Sequence, residues 1–156
     1  MANDKHFCRY YEGIFILFKT GLRISEFVGL TLSDLDMQNR KISVNHQLQR
    51  KRNMEYVIED TKTSCGTREI PMTDEVYKCF QRIISSRKKP RVEPIVGGKC
   101  GFLYLDKNDM PMVALHWEKD FSIFARSIIA FIECKGQRLR HTFAVTLFVL
   151  IWLKAT

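Results

Sequence analysis

The feature that most constrains this chain is a glycine that separates a long apolar segment from a short charged one. The segment from Tyr10 to Phe18 is dense in apolar residues over a helical length, and Gly21 follows it. Glycine readily adopts the left-handed conformation that ends many helices. Arg23 and Glu26 come directly afterwards, and their spacing of three residues brings two side chains to one face of a second, short helix. We therefore expect the carboxylate of Glu26 to orient the guanidinium of Arg23.

An arginine held in this way suits the binding of an anion. Its guanidinium presents two parallel N–H donors, which match a carboxylate or a phosphate group. We predict that Arg23 points outward as an anion clamp and that Glu26 supports it. The alternative is a solvated surface ion pair, which is the commoner role of such pairs in general.

The charge of the chain narrows the choice of partner. Lys and Arg number 25 and Asp and Glu 17, a net charge of +8, which favours a polyanion. Membrane lipid is the rival polyanion, but no stretch reaches the roughly 18 apolar residues of a spanning helix, and the start of the chain lacks a secretory-signal pattern. The five cysteines are scattered without a Cys-x-x-Cys pair, which argues against disulfides and a zinc site. These features predict a cytoplasmic protein without a cofactor.

Alternating apolar residues predict a small antiparallel sheet in the first half of the chain. Residues 42–48 and 54–58 alternate in this way, with a polar turn at 49–53 between them, which is the pattern of a β-hairpin. Residues 67–71 form a third predicted strand after a turn, and this turn places Lys62 at or near the tip of the sheet.

The remaining segments are predicted to be mainly helical. A helix is expected over 73–89, with acidic residues at its start and basic residues at its end to match the helix dipole. A second is expected over 115–130, where aromatic residues at helical spacing indicate core packing rather than base stacking. Residues 32–39 and 90–101 read as a turn and a loop, and 102–105 as a short extended segment. The predicted class is α+β: a mainly helical domain with a three-stranded antiparallel sheet.

Three short motifs carry a resemblance to one family. Residues 20–26 (TGLRISE), residues 139–144 (LRHTFA) and residues 61–63 (TKT), the last backed by 68–72 (REIPM), occur in that family's order and at about its spacing. They resemble the two conserved boxes and the lysine-bearing hairpin of tyrosine recombinases, the phage integrase family, and most closely the integrases of conjugative transposons. Three motifs in order are far more specific than any one of them.

The resemblance implies the tyrosine recombinase catalytic fold and a reaction on double-stranded DNA. In that reaction a tyrosine hydroxyl attacks a phosphodiester and forms a covalent protein–DNA link, without a metal or other cofactor. Carried over by motif, Arg23 and Arg140 are the phosphate clamps, and Lys62 is the general acid that protonates the departing 5′ oxygen. Glu26 orients Arg23, and His141 has a structural role beside Arg140.

The carboxy-terminal third departs from the family pattern. Gln137 occupies a place that usually holds histidine; glutamine can donate a hydrogen bond to a phosphate oxygen but cannot exchange a proton near neutral pH. Arg138 adds charge to the same segment and is predicted to face DNA. All of the tyrosines precede Arg140, so none matches the nucleophile; they are Tyr10, Tyr11, Tyr56, Tyr77 and Tyr104. The apolar tail, residues 147–153, fits either a native core helix or the product of a shifted reading frame.

Three hypotheses about function follow. The first is a single, partial recombinase catalytic domain over residues 1–156, lacking the family's core-binding domain and tyrosine segment and unable to cleave DNA alone. The second is a non-catalytic DNA-binding module that modulates an intact integrase subunit. The third is a basic helical domain without a nucleic-acid role, in which Arg23, Lys62 and Arg140 are ordinary surface charges.

Overall fold

A computed structural model describes residues 5–60 and 67–117, with side chains from Tyr10 onward. The chain divides into two compact units, Met1–Ala114 and Leu115–Thr156, and the elements described below belong to the first. In chain order these elements are α1 Lys5–Thr20, α2 Ile24–Gly29, a 3₁₀ turn Leu32–Asp34, β1 Leu35–Asp36, β2 Lys41–Val44, β3 His46–Arg50, β4 Tyr56–Asp60, β5 Arg68–Pro71 and α3 Asp74–Ser86.

Helix α1 ends as the sequence predicts. Gly21 has a φ of +66°, and its N–H donates to the carbonyl of Leu17 at 3.0 Å. This left-handed residue turns the chain away from α1 so that α2 can begin three residues later. Helix α1 packs against α3. Ile16 of α1 and Phe80 of α3 are both fully buried.

Helix α3 is shorter than the predicted helix of 73–89. Thr73 caps its start by accepting a hydrogen bond from the N–H of Val76. The helix stops at Ser86 because Arg87 turns to an extended conformation and its side chain donates to the carbonyl of Phe102 at 2.8 Å. Cys79 is buried on the inner face of α3.

The predicted three-stranded antiparallel sheet is present, but its strands differ from those predicted. The alternating run 42–48 breaks at Asn45, so β2 and β3 enter different sheets. In the first sheet β2 lies between β1 and β5, and in the second β3 pairs with β4. Alternation identifies the residues of a strand but not the partner that completes its hydrogen bonds, which tertiary packing selects.

The segment 32–39 is more ordered than the predicted turn. It contains the 3₁₀ turn and the two-residue strand β1, in which Leu35 pairs with Ile42. A strand of two residues is too short to show alternation, so its partner β2 defines it.

The expected loop at 90–101 and the extended segment at 102–105 are both present, the latter joined to its neighbours by isolated bridges. Residues 114–117 are helical, and the rest of the predicted helix at 115–130 lies outside the described residues.

The core lies between the helices and the two sheets. In residues 10–60 and 67–114, its largest fully buried apolar side chains are Phe27, Phe80, Phe102, Ile16, Leu30, Ile42, Leu48, Leu105, Val44 and Val76. One carboxylate, Glu26, is buried as completely as these. No helix in residues 5–60 and 67–117 has both the length and the apolar character needed to cross a membrane. Nor does that part of the chain gather three His, Cys, Asp or Glu side chains able to hold a metal ion.

Candidate anion-binding site around Glu26

Arg23 lies just before α2 rather than inside it. Its backbone is extended, with φ −68° and ψ 148°, and the helix begins at Ile24. The expectation that Arg23 is itself helical was therefore wrong. The physical reason is a capping bond: the N–H of Arg23 donates to Glu26 Oε2 at 2.9 Å, which satisfies a backbone donor that the helix leaves free.

The cap still brings the two side chains together. Nη1 of Arg23 donates to Glu26 Oε1 at 3.3 Å. The side chain of Arg23 is 76% exposed, whereas that of Glu26 is 1% exposed. The pair thus joins an exposed guanidinium to a buried carboxylate. It differs from a solvated ion pair because the carboxylate, which is shielded from water, must receive its hydrogen bonds from the protein.

A second arginine, Arg68, completes the cluster. Its Nη1 donates to Glu26 Oε1 at 3.1 Å and its Nη2 to Oε2 at 2.8 Å, a two-pronged contact. Sequence reasoning placed Arg68 only behind the Lys62 motif and assigned it no site role. Arg68 lies 42 residues from Glu26 in the chain, so no local spacing links them. The burial of Glu26, which calls for more donors than Arg23 alone supplies, is known only from the structure, so the sequence carried no signal for Arg68.

The electrostatics of the cluster keep Glu26 ionised. Burial raises the pKa of Glu26, but the hydrogen bonds from Arg68 and from the backbone of Arg23, with the two positive charges, outweigh it and hold this pKa below its ordinary value. The hydrogen bond to Glu26 raises the pKa of Arg68 in turn. Two guanidinium groups on one carboxylate leave the cluster with a net positive charge, and the exposed member is Arg23.

Helix α2 is seated closely on the hairpin formed by β3 and β4. The backbone of Gly29 approaches β3 so nearly that an added Cβ would lie 2.9 Å from the nitrogen of Leu48. Nε2 of His46 lies 2.8 Å from the carbonyl of Gly29, which can only accept, so the imidazole donates. These contacts leave α2, and therefore Arg23 at its start, little freedom to shift.

A polar chain of side chains extends from α2 across the same hairpin. Ser25 Oγ donates to Gln47 Oε1 at 3.1 Å, and Gln47 Nε2 donates to Glu59 Oε2 at 3.1 Å. Glu59 is in β4, which runs directly into residues 61–66, and Arg68 is at the start of β5 on their other side. Of the two strands that flank the Lys62 segment, β5 is therefore bonded directly to α2 through Arg68, and β4 is linked to α2 through Gln47 of β3.

Of the predicted site residues, Arg23 and Glu26 are brought together as described. The others lie outside the described residues: Lys62, Gln137, Arg138, Arg140 and His141. Their roles remain predictions.

Comparison with known proteins assigns the family. The model of the phage integrase family matches residues 1–149. This chain belongs to the phage integrase family. A relative in this family, the transposase from transposon Tn916 of Enterococcus faecalis, is 41% identical over 146 residues, which cover 90% of this chain and 36% of that protein. The integrase of Staphylococcus phage L54a is 29% identical over 126 residues, or 79% of this chain and 35% of that one.

Solved structures confirm the predicted fold of this integrase-family chain. The Tn1549 transposon integrase in complex with circular intermediate DNA is 42% identical, with a TM-score of 0.73, over 88% of this chain and 43% of that one. The same integrase in complex with transposon right end DNA gives a TM-score of 0.72. The chain spans about a third of the length of the curated relatives that it matches.

Proposed function

We propose that this chain binds double-stranded DNA through its phosphates, as part of the catalytic domain of a site-specific recombinase that acts in DNA integration. The observation that carries the proposal is the exposed guanidinium of Arg23, which is hydrogen-bonded to the buried and ionised carboxylate of Glu26. Family membership supports it, since the Tn1549 integrase with which the chain shares 42% identity was solved in complex with DNA. With DNA as its partner, the proposed location of the protein is the cytoplasm.

The chemistry assigned to the individual residues follows the family motifs. Arg23 and Arg140 are proposed to hold the phosphate that is attacked and to stabilise the charge of its crowded transition state. Lys62 donates a proton to the departing 5′ oxygen. Glu26 orients Arg23.

Three further residues near Arg140 have proposed supporting roles. Gln137 donates a hydrogen bond to a phosphate oxygen, and Arg138 adds a contact to the DNA backbone. His141 supports the position of Arg140. None of these roles supplies a nucleophile.

The source of the nucleophilic tyrosine distinguishes a chain that takes part in DNA cleavage from a non-catalytic DNA-binding module. Every tyrosine in these 156 residues precedes Arg140, so strand cleavage needs a tyrosine from outside them. If it is supplied by another polypeptide, mixing the chain with a tyrosine-bearing carboxy-terminal integrase fragment and cognate DNA yields a covalent adduct on a denaturing gel. If no ratio of the two yields an adduct while DNA binding persists, the result favours the alternative, a non-catalytic DNA-binding module that modulates an intact integrase.

The test of DNA binding is fluorescence anisotropy with a labelled duplex of about 30 base pairs at two salt concentrations. We expect affinity to fall steeply as salt rises, because bound phosphates release counterions. Arg23→Ala and Arg140→Ala are each expected to weaken binding about tenfold and to lower the salt slope by about one.

Arg82→Ala is the matched control for this experiment. It removes the same charge from an exposed ion pair with Glu12 on α1, outside the cluster around Glu26. Its affinity should stay near that of the wild type. Absence of binding at low salt, or equal losses in Arg82→Ala and Arg23→Ala, would contradict the proposal.

A further inference from the structure

The side chain of Arg68 is bonded more firmly to Glu26 than the side chain of Arg23 is, although the backbone N–H of Arg23 also donates to Oε2 at 2.9 Å. Arg68 makes two contacts with the carboxylate, at 3.1 and 2.8 Å, and its side chain is 34% exposed. The side chain of Arg23 makes one contact at 3.3 Å and is more than twice as exposed. A guanidinium pairs best with a carboxylate through two parallel bonds. Of the two guanidinium groups, that of Arg68 therefore contributes more to neutralising the charge of Glu26.

Arg68 also connects Glu26 to the first sheet, which is formed by β1, β2 and β5. It begins β5, and in the antiparallel ladder with β2 it stands opposite Val44, which is fully buried. A carboxylate held from this strand cannot follow Arg23 if the guanidinium swings toward solvent. The chain of bonds from Ser25 through Gln47 holds α2 to the other sheet.

The charges of Arg68, Glu26 and Arg23 determine which of the two arginines neutralises the carboxylate. A buried carboxylate must be neutralised by a nearby cation, because desolvating it alone costs far more than an ion pair returns. With Arg68 in place, that demand is met from the sheet, and the positive charge of Arg23 stays available to another anion. Without Arg68, Arg23 would be the nearest cation and would be drawn onto Glu26 as a neutral pair.

We propose that Arg68 is a positioning residue, which neutralises Glu26 from the side of β5 and so leaves the exposed guanidinium of Arg23, with its single contact to Glu26, available and oriented for a DNA phosphate. Arg68 acts through Glu26 and does not contact the phosphate itself. The inference rests on the proposed role of Arg23 in binding DNA. It adds a residue to the site and gives it a function distinct from that of the clamp.

A double-mutant cycle in duplex affinity tests this inference. The chains are the wild type, Arg23→Ala, Arg68→Met and Arg23→Ala/Arg68→Met, each checked for folding by circular dichroism. We expect Arg68→Met to weaken binding about tenfold in the wild type and by less than about twofold when Arg23 is already absent. Arg82→Met, which removes a cation from an exposed pair, is the control for lost net charge.

A rescue variant separates positioning from stability. Replacing Glu26 by Gln in the Arg68→Met background removes the negative charge that captures Arg23, so Arg68→Met/Glu26→Gln should bind DNA more tightly than Arg68→Met alone. Because Glu26→Gln also removes a buried charge that has lost its main partner, it can restore stability as well, so urea unfolding is measured on the same two variants. Rescue of affinity under conditions in which both variants are fully folded indicates positioning, whereas rescue that only follows recovery of folding indicates a role confined to stability. If Arg68→Met does not fold, Arg68→Lys serves in the same cycle, because it keeps the charge but cannot make two parallel bonds.

The outcomes are distinct. Equal losses from Arg68→Met with and without Arg23 would show that Arg68 contacts DNA directly and would overturn the inference, as would wild-type affinity in Arg68→Met or the absence of rescue. If Arg23→Ala itself binds as the wild type does, the proposed function of Arg23 fails first, and the inference fails with it.

Discussion

Glu26 is the residue on which the candidate site depends. It is a fully buried carboxylate whose oxygens accept from the backbone of Arg23, from the side chain of Arg23 and from both prongs of Arg68. A buried charge is tolerated in a protein only when its hydrogen-bonding capacity is satisfied in this way. Substitutions at Glu26 should therefore affect stability as well as DNA binding.

Glu26→Gln is expected to lower the free energy of unfolding by about 3 kcal/mol near neutral pH, because the two cations lose their charged partner and one amide hydrogen faces a guanidinium. Urea unfolding followed by circular dichroism measures this. Glu69→Gln is the control, since it removes the same charge from an exposed pair with Lys41 and should cost less than about 1 kcal/mol. Equal costs would mean that Glu26 is not the buried, doubly bonded group described here.

The stability difference between the wild type and Glu26→Gln is expected to depend on pH. Because folding lowers the pKa of Glu26, its stabilisation is fully present above the unfolded value of about 4.3 and is lost as pH falls through the folded value. The difference in unfolding free energy between wild type and Glu26→Gln should thus be largest near pH 7 and narrow below about pH 4. Urea unfolding at several pH values measures it, and a difference that stays constant down to about pH 3 would contradict the lowered pKa.

At the scale of elements, the site exists because α2 lies unusually close to β3. Helix and strand approach at Gly29, whose missing side chain leaves room for the backbone around Leu48. His46 and Gln47 then bond to α2 from the facing strand. Any residue larger than glycine at this point should push the helix, and Arg23 with it, away from the hairpin.

Gly29→Ala is accordingly expected to destabilise the fold by about 2 kcal/mol, through a clash with backbone atoms that cannot move aside like a flexible side chain. Urea unfolding measures this change. Gln49→Ala on the exposed side of β3 is the control and should stay within about 0.5 kcal/mol of the wild type. A Gly29→Ala variant of wild-type stability would show that α2 and β3 are farther apart than described.

At the scale of the whole molecule, basic residues outnumber acidic ones, so pairing between them leaves positive charge over. Ion pairs in the described part of the chain tie acidic residues to cations: Arg40–Asp74, Lys41–Glu69, Arg82–Glu12, Arg87–Glu93 and Lys88–Asp109. The sequence contains eight more basic than acidic residues, so a surplus of cations remains to attract a polyanion.

This surplus predicts that duplex DNA stabilises the folded chain. At low ionic strength the midpoint of thermal unfolding should rise with duplex concentration, because a ligand that binds only the folded state shifts the equilibrium toward it. The rise should shrink in Arg23→Ala and disappear at high salt. A midpoint unchanged by duplex at low salt would mean that the surplus charge does not form a binding surface.

The fold was largely predictable because its signals are local. The glycine that ends α1, the alternation in β2 to β4 and the acidic start of α3 are all readable within a few residues, whereas the basic residues expected to end α3 lie beyond its last residue, Ser86. The break at Asn45, the short strand β1 and the pairing of β2 with β5 were not predicted, since each depends on which distant strand supplies the hydrogen bonds.

The candidate site divides in the same way. Motif order in the sequence alone determined the family resemblance, and local spacing determined the pairing of Arg23 with Glu26, because three residues bring two side chains together near one helix end. Only the tertiary structure decided that Glu26 is buried and that Arg68 joins it. Burial and contacts across 42 residues arise when α2 packs against the sheets, and no local pattern in the chain records that event.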